Sequence, residues 1–527
     1  MKPLKSSQVD LAIVGGGING AGLALLAAKA GLSVALFEKD DFASGTSSKS
    51  TKLIHGGIRY LEQYRFSLVF ESLHERQKLL KLAPHLIHPI SILLPCYKTD
   101  RRPPWMLKIG LWLYDILAGS SNIARHRWYS AEETKIIAPT LKTDGLKGCG
   151  LYYDAQVNDA RLVLENILAA EEAGADCLNY CCVNQIDREE GFVRVFFQES
   201  RTKENGVLQA KCLVNAAGPW ANQITKLISE NALSLIRPTR GSHIVMPEVL
   251  SQHAVLIMTP KDNRIIFIVP WRGFSLVGTT DLDDPDDPNK VAPTEEEIQY
   301  LLREASRVFP GSIWDRNQVL SAFSGLRPLA WSGGEQASSL SREDKIQSEG
   351  NVISIVGGKL TTYRSMAEKA MRKILKITGQ SKKIPRDLKL PGSIENSWDE
   401  FLKKNVPQWI STFKISESQA NHLAGLYGQK ARDVLALIEK DARFREPLHA
   451  DRPELSAQVV YAVLSEKACH LEDVMLRRLE IGYSPQRWGS ASEKASRLMA
   501  EQLGWDETNR LVELEHYRQS LFPTPDK

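Results

Sequence analysis

The stretch VDLAIVGGGINGAGLALLAAKAGLSVALFE, residues 9–38, decides the fold, because it reads as strand, glycine turn, helix and strand in one unbroken unit. Val9, Leu11, Ile13 and Val14 form a short apolar run, Gly15-x-Gly17-x-x-Gly20 follows at once, and 21–30 is a small-residue, helix-favouring segment ended by Gly31. A second strand over 33–37 ends in Glu38. Gly15 permits the tight turn, Gly17 lets a pyrophosphate approach the backbone, and Gly20 lets helix and strand pack closely. The helix N-terminus then presents free N–H groups and a positive dipole end to that diphosphate. Glu38 lies 18 positions after Gly20, where an acidic residue accepts hydrogen bonds from the adenosine ribose. A bare glycine triad is weak; with its strand, helix and acid in place it predicts a dinucleotide site.

At 527 residues the chain has material for two to four domains, and 43% hydrophobic with 25% charged residues is an ordinary globular balance. A formal net charge of +4 is too small for this length to imply a nucleic-acid partner. Cys96, Cys149, Cys177, Cys181, Cys182, Cys212 and Cys469 have no C-x-x-C spacing, which fits a reducing compartment and no metal site. Asp281, Asp283, Asp284, Asp286 and Asp287 lack the glycine and closing glutamate of a calcium loop and read as a solvated turn. The segment before the first strand is too short for a targeting peptide, and no run reaches the ~18 apolar residues of a membrane span. A cytoplasmic location is the expectation.

After Glu38 comes DFASGTSSKSTKLIHGGIRYLE, residues 41–62. Thr46, Ser47 and Ser48 supply donors, Lys52 and Arg59 positive charge, and Gly56-Gly57 permits approach to a flat ring. A flexible linker would not carry His55, Gly56, Gly57, Arg59 and Tyr60 directly downstream. Together with GGGINGAG this segment resembles the FAD-dependent glycerol-3-phosphate dehydrogenase family, within the flavoproteins built like D-amino-acid oxidase. NDARLV at 158–163, NAAGPWA at 215–221, RGSHIV at 240–245, VGTTD at 277–281, SGLRPL at 324–329 and GGKLTTYR at 357–364 extend the resemblance in order. It implies an α/β fold: a Rossmann-like FAD-binding domain of the D-amino-acid-oxidase type, an antiparallel β substrate domain and a C-terminal all-helical domain.

The expected division is 1–85, 150–230 and 325–378 for the FAD domain, and 86–149 with 231–324 for a substrate and membrane-contact domain. A linker at 379–395 and a helical domain at 396–527 complete it. Helices are expected over 66–82 and from 159 to 174. Strands are expected over 176–186, 191–197, 210–217 and 351–356, with short β runs through 236–323. Gly357-Gly358 is expected to open a helix continuing past Tyr363. The C-terminal region reads as helical, including 455–468 and 471–479, and its single Cys469 argues against an iron–sulfur module. Residues 103–119, PPWMLKIGLWLYDILAG, combine Trp105, Trp112 and Tyr114 with leucines and basic flanks, a composition shared by buried amphipathic helices and membrane-interface helices. The resemblance, whose dehydrogenases are peripheral membrane proteins, favours the membrane surface.

The expected cofactor set is Gly15, Gly17, Asn19, Gly20, Glu38, Thr46, Ser47, Lys52, Leu53, His55, Gly57, Ala217, Gly218, Gly357, Gly358, Leu360 and Thr361. A phosphate-bearing substrate needs fixed cations beside the ring that accepts hydride. Arg59, Tyr60, Arg327, Arg342, Lys359 and Thr361 are the expected substrate contacts. Arg342 sits in SREDK, where the resembled family tends to Arg-Asp-Tyr, so its role is the least secure. The resemblance implies oxidation of sn-glycerol 3-phosphate to dihydroxyacetone phosphate. Arg327 is expected to orient the C2 oxygen, Arg59 and Lys359 to hold phosphate, and His243, His55 or a lysine of depressed pKa to take the proton. Electrons are expected to pass to a membrane quinone; a homodimer is admitted. The rivals are an oxygen-using glycerophosphate oxidase or related amine or hydroxy-acid oxidase, and a non-catalytic nucleotide sensor.

Overall fold

The strand Gln8–Val14, helix Ile18–Lys29 and strand Val34–Phe37 form the opening βαβ unit, and the sheet grows from it in both directions. The computed structural model describes residues 4–284, 287–311, 314–331, 344–395 and 397–521. Gln8–Val14 pairs in parallel with Val34–Phe37 on one side and Asn205–Asn215 on the other; Asp176–Leu178 and Val352–Val356 extend these two flanks, also in parallel. Lys345–Glu349 closes one edge, and the hairpin Cys181–Glu189/Phe192–Glu199 leaves the sheet through Asn205–Asn215. Strands covered on both faces read as continuous apolar runs, which is why DLAIV and CLVN look alike in sequence.

Helix Ile18–Lys29 is buried through most of its length between the sheet and the helices Asp159–Glu172 and Tyr363–Ile377. Its small residues allow this: a Cβ on Gly22 would lie 2.5 Å from the Tyr363 ring. The expected strand over 176–186 is broken at Tyr180, whose φ of +55° turns the chain out of line. Gly357-Gly358 does not open a helix directly. A 3-10 turn, Leu360–Thr362, intervenes, and the helix begins at Tyr363.

The second sheet runs in the order 282–283, 236–247, 274–278, 265–271, 253–258, 87–97, 146–157, 53–54, with Ser321–Ala330 and Arg127–Tyr129 pairing alongside. It is antiparallel except where His253–Met258 meets Ile87–Tyr97. Ile87–Tyr97 and Leu146–Val157 are long central strands that the sequence pattern does not announce, because Pro89 and Pro95 interrupt the first and speak against a central strand. The amphipathic helix Glu295–Val308, with a Thr294/Glu297 capping box, covers one face of this sheet and was likewise not expected among the β runs.

Sheet membership changes the division of the chain. Residues 150–157 and 325–330, assigned above to the FAD domain, hydrogen-bond into the second sheet, as do Leu53 and Ile54. We therefore propose boundaries that follow the sheets. The linker is tied down by Leu388 and Leu390, which are buried in the core of the first domain. The C-terminal unit contains the helices Trp398–Phe413, Glu417–Tyr427, Ala431–Lys440, Ser456–Glu466, Ser490–Leu503 and Glu507–Ser520 around its own core. The helix expected at 471–479 is present from 471 to 478, with Asp473–Arg478 wound as a π-helical turn.

Candidate active site

The glycine turn has the shape its sequence demands. Gly15 has a φ of +114° and donates its N–H to Phe37 O at 2.8 Å. A Cβ on Gly20 would lie 1.9 Å from Gly15 O, so only glycine lets the helix start there. A Cβ on Gly17 would meet only Ser47 Oγ, at 3.1 Å, so that face of the turn is walled by the Ser-rich loop alone. Ser47 Oγ also accepts the Ile18 N–H at 3.0 Å. Glu38 accepts hydrogen bonds from the Gly16 and Asp40 N–H groups at 2.7 and 3.0 Å, while burial pushes its carboxyl up to about 7. Beside it a cavity of about 220 Å³ is walled by Phe37, Ala217, Val183, Ile224 and Leu227. A carboxylate beside an apolar slot fits the ribose and flat base of FAD. Val183, Ile224 and Leu227 carry no motif, and sequence reasoning missed them.

The distant cofactor segments meet. Asn19 Oδ1 is buried without a hydrogen-bond partner, and its amide nitrogen lies 3.9 Å from where a Cβ on Gly358 would be. Gly57, Gly218, Gly357 and Gly358 all have positive φ, so glycine is required at each bend. The His55 N–H donates to Thr361 Oγ1 at 3.2 Å, and Thr361 returns a bond to His55 O at 3.3 Å. Thr46 Oγ1 donates to Leu326 O at 2.5 Å, joining the loop to the second sheet. The orphaned Asn19 oxygen, the open Gly17 face and the Glu38 slot together fit FAD. Leu53 and Leu360 serve this region by packing: Leu53 is buried in the substrate-sheet core and Leu360 lies against the core of the first domain.

Lys52 departs from expectation. Its ammonium is buried, 2.6 Å from Asp159 and 3.7 Å from Glu480, and donates to Ser48 O at 2.8 Å. Its charge is committed to these partners, so it leaves the set of direct cofactor contacts.

Against the second sheet lies a second cavity, of about 180 Å³, walled by His55, Gly57, Arg59, Tyr60, Thr279 and Arg327, among others. Arg327 is held by Asp281 at 3.0 Å, Thr279 Oγ1 at 3.0 Å and Thr280 O at 3.1 Å. Two glycines make room for the site. A Cβ on Gly241 would lie 2.3 Å from the Arg327 guanidinium, and one on Gly278 would lie 2.2 Å from the His243 ring. Lys359 Nζ lies 3.9 Å from the centre of the Tyr60 ring, which brings it to the same wall. Arg342 lies outside the described residues. The orienting set Thr279, Thr280 and Asp281 was visible as VGTTD but had no role assigned from sequence.

His243 is one strand away from the cavity's wall. Its Nε2 is 2.9 Å from Thr51 Oγ1, its ring stacks on Phe323 at 5.1 Å, and Nδ1 is buried without a partner. Burial, with Arg327 and Lys52 nearby, lowers its pKa to about 3, so it is neutral and weakly basic. It serves as a hydrogen-bond partner better than as a proton acceptor.

The helix Pro104–Ala118 lies across this region with two different faces. Leu107, Leu111, Tyr114 and Ala118 are buried against the second sheet, whereas Trp105, Met106, Ile109, Trp112 and Ile116 are exposed, Trp105 by 65%. Phe66 and Phe70 of the adjacent helix Phe66–Leu82 are exposed as well. Among the described residues no helix is long and apolar enough to cross a membrane.

Residues 10–359 match the family of FAD dependent oxidoreductases, and residues 384–510 match the C-terminal domain of alpha-glycerophosphate oxidase. The chain is 34% identical over 546 residues to the glycerol-3-phosphate dehydrogenase of Synechocystis, covering 98% of this chain and 97% of the relative. It is 36% identical over 544 residues to the mitochondrial glycerol-3-phosphate dehydrogenase of Homo sapiens, covering 98% of this chain and 74% of the relative. The solved structure of the glycerol-3-phosphate dehydrogenase from Bacillus halodurans complexed with FAD matches with a TM-score of 0.80 and 28% identity, over 98% of this chain and 94% of that one.

Proposed function

The chain belongs to the FAD-dependent oxidoreductase family, in its glycerol-3-phosphate dehydrogenase branch, and from that premise we propose that it oxidises sn-glycerol 3-phosphate to dihydroxyacetone phosphate and passes the electrons to a membrane quinone. FAD, when bound, supplies the two-electron acceptor for the C2 hydride. The observation that carries the substrate reading is the 180 Å³ cavity: Arg59, from the 3-10 turn Ile58–Leu61, and Arg327, from the strand Ser321–Ala330, line it together with His55 and Gly57 of the cofactor segment.

Arg327 orients the C2 oxygen, because Asp281, Thr279 and Thr280 already fix its guanidinium and little reorganisation remains when alkoxide charge develops. Arg59 and Lys359 hold the phosphate. The C2 hydroxyl proton goes to His55, which lines the cavity while His243 does not. As that proton and the C2 hydride leave, the C2–O bond becomes a carbonyl.

The exposed face of Pro104–Ala118 supports attachment to the cytoplasmic membrane surface, where a quinone is within reach. The test is anaerobic titration: glycerol 3-phosphate bleaches the flavin band and unphosphorylated glycerol does not. Bleaching by both would overturn the substrate reading, and stoichiometric peroxide on admitting air, with no quinone reduction, would make the enzyme an oxidase.

A further inference from the structure

The 41–52 segment, which carries Thr46 and Ser47, is hydrogen-bonded at Asp41 by buried arginines of the C-terminal unit and faces a buried carboxylate of that unit, Glu480, at Lys52. Asp41 opens the segment and is fully buried. Arg477 Nε donates to its Oδ2 at 2.6 Å, and Arg478 spans the carboxylate with bonds of 2.7 and 2.9 Å. Two consecutive arginines reach one carboxylate because they lie on the π-helical turn Asp473–Arg478, whose widened i→i+5 path is characteristic of functional sites. Asp473 completes that end by accepting from Arg477 at 2.5 Å and from the Tyr180 hydroxyl at 2.6 Å. At the other end Lys52, bonded to Asp159 at 2.6 Å, also lies 3.7 Å from Glu480, which accepts from Asn158 at 3.0 Å and Arg272 at 3.1 Å. Lys52 and Glu480 both have positive φ, +59° and +62°, which non-glycine residues keep only where their surroundings hold them.

The same unit has further anchors, one of them through Glu466, whose backbone oxygen also accepts from Arg478 at 2.8 Å. Arg161–Glu466, at 2.5 Å, and Lys467–Glu171 fix it to the helix Asp159–Glu172. Holding the unit on the body of the protein therefore does not require the contacts at Asp41 and Lys52.

We propose that the C-terminal helical unit clamps the cofactor loop, with Arg477, Arg478 and Glu480 as positioning residues that hold residues 41–52 in the shape that binds FAD. Ser47, whose Oγ is the one atom near the open face of Gly17, lies between Asp41 and Lys52. Freeing either end leaves the glycine turn intact and the loop that faces Gly17 unfixed. The inference rests on FAD binding and is independent of the substrate.

The test is FAD binding to apoprotein, followed by quenching of flavin fluorescence. Arg477→Leu and Glu480→Gln are each expected to raise the FAD Kd tenfold or more while the circular dichroism of the apoprotein is unchanged. Arg477→Lys, which keeps a cation near Asp41, recovers part of the loss. Hydrogen exchange on the unaltered protein gives a second readout that depends on no variant: adding FAD protects residues 473–483 together with 41–52. A Kd within twofold of wild type in both variants, or protection confined to 41–52, overturns the clamp. If Arg477→Leu does not fold, Glu480→Gln and the exchange experiment decide the matter by the same criteria.

Discussion

Gly241→Ala is the sharpest test of the substrate site, because it adds one methyl group and touches no charged residue in sequence. Gly241 lies on the strand Ile236–Pro247, opposite Gly325 of Ser321–Ala330. Its added Cβ would lie 2.3 Å from Arg327 NH2 and 2.5 Å from Thr279 Oγ1, distances that cannot persist. The guanidinium ends a flexible side chain, so the clash is relieved by swinging Arg327 off Thr279, and the strand pairing survives. The catalytic cost is then that of one misplaced charge-assisted hydrogen bond, about 1.5–3 kcal/mol, or roughly 10- to 160-fold in kcat/KM. The loss should fall mainly on kcat, since charge on the C2 oxygen grows only in the transition state. Steady-state dye reduction, at matched flavin content, measures it. The cycle with Arg327→Met identifies the cause: on that background most of the cost of Gly241→Ala should vanish, the remainder being the contact with Thr279 Oγ1 that the arginine does not make. Wild-type kinetics for Gly241→Ala, or losses that simply add in the double variant, would refute the geometry.

Three further outcomes are expected. Replacing Ile109, Trp112 and Ile116 together by asparagine should release the protein from phospholipid vesicles with dye reduction retained, whereas Leu111→Ala, at a buried position, should cost about 2–5 kcal/mol of stability; vesicle sedimentation and urea unfolding measure the two. Lys359→Met should raise the KM for glycerol 3-phosphate roughly ten- to a hundredfold with kcat little changed, and an unaltered KM would remove it from the phosphate site. Desolvation of its carboxyl pushes Glu38 up to about 7, and the ionised form is the better acceptor for ribose hydroxyls. The FAD Kd of apoprotein should therefore fall as pH rises towards 7 and level off above it, and Glu38→Gln should flatten the profile.

The parts legible in sequence are those where a residue type is forced by local geometry. Gly15, Gly20, Gly57 and Gly358 occupy bends or contacts that no side chain tolerates, and the fingerprint they spell located the cofactor end of the first sheet. The helix over 66–82 was read to its ends because Pro84 stops it soon after a clear apolar stripe. What sequence left dark depends on tertiary neighbours. Ile87–Tyr97 contains two prolines and still forms a central strand, since packing on both faces overrides the local penalty. Lys52 stands in a motif full of cofactor residues, but its partners Asp159 and Glu480 lie far along the chain, and only the fold shows that its charge is spent on them. Leu111 and Trp112 are neighbours in sequence and look equally suited to a membrane; one is buried and the other exposed because successive helical positions face in different directions.

That two-faced helix joins the exposed apolar surface to the substrate cavity. From its inner face the Tyr114 hydroxyl donates to Asp154 at 2.8 Å and accepts the Gly56 N–H at 2.9 Å. Asp154 takes a second bond from Gly56 N–H at 3.2 Å and pairs with Arg76, from the neighbouring helix, at 2.6 Å. A Cβ on Gly56 would lie 2.4 Å from the Tyr114 oxygen and 2.6 Å from Leu73, so the backbone between His55 and Gly57 is pressed directly onto both helices. Every member of this network is buried, and leaving any one of them unsatisfied costs about 1–3 kcal/mol, more for the charged pair. Docking on a lipid surface therefore has to leave Pro104–Ala118 fixed to the second sheet, because lifting it would take the Tyr114 hydroxyl from both Asp154 and the Gly56 N–H and loosen the segment that carries His55. The helix can meet a membrane with Trp105, Ile109, Trp112 and Ile116 while its other face holds the cavity wall, and that division of faces explains why so apolar a segment is neither a transmembrane span nor a core helix.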